Sequence, residues 1–112
     1  MSRIPYNLFH IFLVAPLFAY IGYNKQSTPQ TVFTMLTFIG AFIILYHAYR
    51  YYYTSWSINL MHVVIIGPLL LYFGLKGSSL PDPAFNVFYV ASAIILIWHS
   101  YLLYTRLSPP TV

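Results

Sequence analysis

The chain has no cysteine, one acidic residue and very little charge of either sign. Without cysteine there are no disulfides, no thiolate metal ligands, no iron–sulfur clusters and no thiol nucleophile. The single carboxylate, Asp82, excludes a paired-carboxylate acid/base mechanism within one chain. It also excludes a carboxylate-bridged dimetal centre of the kind built in helix bundles. Charged residues make up only 5% of the 112 positions, whereas a soluble domain carries roughly a quarter. Hydrophobic residues reach 60% and aromatics 21%, so the chain lacks a water-facing surface and reads as an integral membrane protein. Its net charge of +4 is spread too thinly for the clustered basic face that nucleic acid requires. There is no glycine-rich phosphate loop, no lysine in the middle of an apolar segment and no arginine ladder. No catalytic set assembles from what remains, and the chain reads as a binding or structural protein rather than an enzyme.

What is present is a repeat. Shifting the sequence by 52 residues without a gap leaves 15 of the 47 positions from Asn7 to Tyr53 identical. Apolar composition alone yields matches of Leu, Ile and Phe. It does not readily yield Asn7/Asn59, His10/His62, Pro16/Pro68, Gly22/Gly74, Pro29/Pro81 and His47/His99 in one register. The pattern predicts a tandem duplication, with one unit over about 5–53 and the second over about 57–105. Arg3 and the apolar run to Ile21 have the look of a secretory signal, but their repeat partner lies mid-chain, which keeps the segment in the expected protein.

Four apolar segments follow, at about residues 4–23, 31–53, 58–76 and 84–105. Each approaches the ~20 residues a helix needs to cross a hydrocarbon core, and lipid permits only helices or closed barrels. The expected architecture is a single all-α transmembrane domain over 1–112. It consists of four helices in two duplicated hairpins, related by a pseudo-twofold axis along the membrane normal. Both termini and the middle loop fall on one side with Arg3, Arg50 and Arg106, against Lys25 and Lys76 on the other, which favours cytoplasmic termini. Twelve tyrosines and two tryptophans gather near segment ends, like the aromatic belts of membrane interfaces. Thr28 before Pro29 and Ser57 in the middle loop have the form of helix N-caps, and Gly77 that of a helix stop. Pro16 and Pro68 fall inside segments one and three, where each removes a backbone hydrogen bond and predicts a kink.

All four histidines belong to repeat-matched pairs. His10 lies about six residues into segment one and His47 about six from the end of segment two, and His62 and His99 repeat the arrangement. Antiparallel hairpins then predict one layer of four imidazoles, roughly two turns inside the terminus-bearing face. Asn7 and Asn59 precede His10 and His62 by three residues and share their helical face, where an amide can fix an imidazole tautomer. Neutral imidazole suits zinc, copper, iron and nickel, and serves as an axial haem ligand. The layout is similar, in architecture only, to four-helix membrane cytochromes with histidine ligands. It departs from them in placing all four histidines at one level, where two stacked haems need two.

The reading reached from sequence is a small membrane binding or redox module. His10, His47, His62 and His99 hold a transition metal or haem, and Asn7 and Asn59 support them. Two alternatives stand beside it. One is a structural or adaptor protein of an organelle, envelope or virion membrane, without cofactor. The other is a histidine-lined proton or ion pathway. Lipid is the expected surrounding partner, together with further copies of the chain or a larger membrane complex.

Overall fold

A computed structural model describes residues 3–108. Among the described residues there is helix and no strand. Four continuous helices run Ile4–Ser27 (α1), Gln30–Thr54 (α2), Ser57–Ser79 (α3) and Asp82–Leu107 (α4), of 24, 25, 23 and 26 residues. At 1.5 Å per residue these span about 35–39 Å, enough to cross a bilayer core of about 30 Å. All four are apolar as well as long enough to cross a membrane. Between 6% and 28% of each apolar window is buried, so most of its apolar surface faces outward.

The chain forms two compact units. The first joins Met1–Lys25 to Pro81–Val112, and so pairs α1 with α4. Its buried apolar residues are Ala15, Phe18, Ile21, Phe85 and Phe88, with Phe18 and Phe88 meeting edge to face at 5.3 Å. Ser92 Oγ on α4 donates to the Ala15 carbonyl at 2.8 Å, tying the helices at a point where both carry small residues.

The second unit, Gln26–Leu80, pairs α2 with α3 around Phe33, Leu36, Leu70 and Phe73. Here backbones touch. A Cβ on Gly40 would stand 2.8 Å from the Leu71 nitrogen and 2.9 Å from the Gly67 carbonyl oxygen. A Cβ on Gly74 would stand 2.6 Å from the Thr37 nitrogen and collide with the Thr37 hydroxyl. Small residues that admit such approach drive helix association in lipid, where apolar burial supplies little.

Ahead of each in-helix proline the backbone widens into one π turn, at His10–Val14 before Pro16 and at His62–Ile66 before Pro68. A proline inside a regular helix strikes the carbonyl four residues back. In α1 the Ala15 N–H instead bonds to His10, and in α3 the Gly67 N–H bonds to His62, each five residues back. The extra residue in the turn moves the carbonyls off the proline ring, and such turns are a known origin of helix kinks.

The ends of the helices correct part of the sequence reading. Gly77 stops the α-helical part of α3 at φ +53°, as its type predicts. Thr28 is not a cap. Pro29 holds the N-cap position of α2, its carbonyl accepting from the Val32 N–H, and the buried Thr28 hydroxyl has no partner among the described residues. Ser57 is likewise the first helical residue, with Trp56 at the cap.

Lys25 ends the α-helical part of α1 at φ 51°, ψ −125°, almost the geometry of Gly77 (ψ −131°), but with a side chain that disfavours it. Its ammonium lies 3.4 Å from Asp82 in an exposed pair, which contributes little. Lys25→Gly is therefore expected to stabilise the protein by about 1 kcal/mol, read as a higher midpoint in denaturant unfolding.

Candidate functional site

Each unit brings two histidines face to face. In the first, His10 on α1 and His99 on α4 stack with ring centroids 4.1 Å apart and planes 10° from parallel. In the second, His47 on α2 and His62 on α3 stack at 4.2 Å and 20°. The sequence places His10 and His47 together on one predicted hairpin. The pairs that form join α1 to α4 and α2 to α3 instead.

All four rings are half-buried, and every Nδ1 faces an oxygen. His10 Nδ1 is 2.6 Å from the Tyr6 carbonyl and His62 Nδ1 is 2.7 Å from the Ile58 carbonyl, each one turn back on its own helix. A carbonyl only accepts, so these two nitrogens carry the proton. His47 Nδ1 lies 2.7 Å from Asn59 Oδ1, and His99 Nδ1 lies 3.0 Å from Asn7 Oδ1. The asparagines thus contact histidines across the helix pair, where the sequence pairs Asn7 with His10 and Asn59 with His62. The histidine on each asparagine's own helix is held by backbone.

The orientation of Asn59 follows from its surroundings. Thr54 Oγ1 donates to the Arg50 carbonyl at 2.7 Å, and it therefore accepts from Asn59 Nδ2 at 3.2 Å. That leaves Asn59 Oδ1 turned to His47, whose Nδ1 must be the donor. The chain of bonds runs one way, from imidazole to amide to hydroxyl to carbonyl. It ends on an atom with no proton to pass on, so it positions the ring and offers no proton route through Nδ1.

With Nδ1 protonated, the neutral imidazoles of His10, His47 and His62 carry their lone pair on Nε2, as does His99 when Asn7 Oδ1 faces its ring. An oxygen acceptor on one ring nitrogen is the usual support for a histidine that ligates metal through the other. Among the described residues no group of three or more His, Asp or Glu gathers as a metal site. A metal lies in the plane of the imidazole it binds, so rings stacked nearly parallel must turn out of the stack before both Nε2 atoms of a pair reach one ion. Any ion held there takes its remaining ligands from water or a bound molecule.

Asn7 and Asn59 are the polar residues buried beside these rings, at 3% and 5% exposure. Thr54 was invisible as a site residue in the sequence, where it looks like part of a loop. Its only signal is its place five residues before Asn59, at the end of α2. Comparison with protein families, curated proteins and solved structures finds no match for the chain.

Proposed function

We propose that this chain is an integral membrane protein, built by duplication of a helical hairpin with its termini on the cytoplasmic side. Through Nε2 of His10 and His99 in one unit, and of His47 and His62 in the other, it binds a transition metal ion or haem iron. One observation carries the reading: all four Nδ1 atoms lie within hydrogen-bond distance of an oxygen. That is the support a ligating imidazole needs, and it occurs four times in a chain with four histidines. The exposed apolar faces of all four helices support the membrane assignment, since that surface needs lipid.

A second reading has its own support. The Asn–His bonds and the stacked rings link helices directly, so the same groups can serve assembly alone in a structural or adaptor protein.

Metal analysis and oxidised and reduced absorption spectra of the detergent-purified protein separate the two. Binding predicts near-stoichiometric metal, or a Soret band that shifts on reduction. Replacing His47 and His62 with Ala should remove the ligand of that pair, and replacing His10 and His99 that of the other, with helix content unchanged by circular dichroism. A variant lacking all four histidines that retains its full ligand content would overturn the site. A colourless, metal-free protein from cells supplied with haem and metals would favour the structural reading.

A further inference from the structure

The two histidine sets are built alike but are not equally fixed. Asn59 is held from both sides, with Oδ1 on His47 and Nδ2 on the Thr54 hydroxyl. Asn7, equally buried, has Oδ1 on His99, while its Nδ2 has no hydrogen-bond partner among the described residues. We infer that Thr54 is a positioning residue that sets the tautomer of His47 through Asn59, whereas Asn7 lets His99 exchange between tautomers.

Turning over the two amides has different consequences. Flipping Asn59 presents its NH2 to His47, which must then accept at Nδ1 and carry its proton on Nε2. The flipped carbonyl also needs a donor, so the Thr54 hydroxyl must leave the Arg50 carbonyl and its lone pairs lose the Asn59 amide. The flipped state is thus poorer by one hydrogen bond, which sets a population ratio of about tenfold. Flipping Asn7 costs no such bond. It exchanges a buried donor without a partner for a buried acceptor without one, and buried carbonyls are left under-satisfied more readily than N–H groups. The bond to His99 is retained with its direction reversed, so both tautomers of His99 are populated.

The consequence for ligand binding rests on the proposed metal reading. His47 presents its Nε2 lone pair in nearly all molecules, and His99 in only a fraction. Apparent affinity falls by the competent fraction, so zinc fills the His47–His62 pair before the His10–His99 pair.

The test is 15N NMR of the full-length, histidine-labelled protein in detergent, metal-free and at a pH where the imidazoles are neutral, with resonances assigned by single His→Gln variants. The nitrogen shifts report which ring atom bears the proton. His47 should be Nδ1-protonated by about tenfold over the other form, with His99 mixed. Thr54→Val, which keeps the shape and removes the hydroxyl, should turn His47 into a mixture, and Thr54→Ser should restore it. A His99 as uniform as His47 would overturn the inference, as would a His47 unmoved by Thr54→Val in a protein that still folds. Zinc titration of the same samples is the separate arm. Thr54→Val should weaken the stronger site about twofold, by the loss of competent fraction. If zinc does not bind while the tautomers behave as stated, the metal reading fails and the positioning role stands.

Discussion

Gly74→Ala is expected to destabilise the second unit by about 3 kcal/mol. The same change at Gly22, 52 residues earlier, should cost less than about 1 kcal/mol. At Gly74 the new methyl meets the Thr37 hydroxyl, the Thr37 nitrogen at 2.6 Å and the Phe33 carbonyl oxygen at 2.9 Å. Two of these atoms are backbone of the facing helix, so relief requires α2 and α3 to part and to lose their contacts around Phe33 and Leu36. At Gly22 the nearest atoms are the Tyr89 ring at 3.2 Å and the Tyr89 nitrogen at 3.3 Å. The ring can swing by a few tenths of an ångström, and alanine's better helix propensity offsets part of the remainder. Reversible unfolding of each variant in mixed micelles, followed by helix signal, measures the contrast. Equal losses at the two glycines would show that the close approach of α2 to α3 carries no special weight.

That contrast marks where the sequence was legible and where it was not. Four apolar runs separated by Asn24–Thr31, Thr54–Ser57 and Gly77–Pro83 place four helices, because segment length and hydrophobicity do not depend on what packs against what. Asn7, Asn59 and the four histidines stood out because polar groups in an apolar run need partners. Which partners they find was hidden. The repeat suggests that His10 belongs with His47, since a hairpin is the nearest fold for consecutive helices. The geometry shows instead α1 with α4 and α2 with α3, joined through the small residues Ala15 and Ser92 in one unit and Gly40 and Gly67 in the other. Pairing of this kind is decided by side-chain volume at a few crossing points, and nearly all-round apolar helices carry no amphipathic stripe to reveal it. The cap at Thr28 failed for a related reason. Pro29 supplies the carbonyl that starts α2, so the local hydroxyl signal was overridden.

Asn59→Leu should destabilise the protein by about 2 kcal/mol, and Asn7→Leu by about 0.5 kcal/mol or less. Both substitutions replace the amide with an apolar side chain of the same branching, and the added bulk is common to the two buried sites, so the difference between them isolates hydrogen bonding. Losing Asn59 removes two bonds at once. The His47 Nδ1–H loses its acceptor at 2.7 Å, and the Thr54 hydroxyl loses its donor at 3.2 Å. Losing Asn7 removes one longer bond, at 3.0 Å, together with a buried N–H group that has no partner among the described residues. Eliminating that orphaned donor returns much of what the lost bond contributed, because a buried unsatisfied polar group costs about as much as a bond is worth. A membrane lowers both figures, since an unfolded helix in lipid also finds partners, but it leaves their order intact. The measurement is the unfolding free energy of the two variants and of the double variant. The double variant should equal the sum of the singles within about 0.5 kcal/mol, since Asn59 bonds to His47 and Thr54 and Asn7 to His99. Were Asn7→Leu the more damaging change, the unpartnered amide would have to be satisfied in the folded protein, and the inequality drawn between the two histidine sets would fall with it.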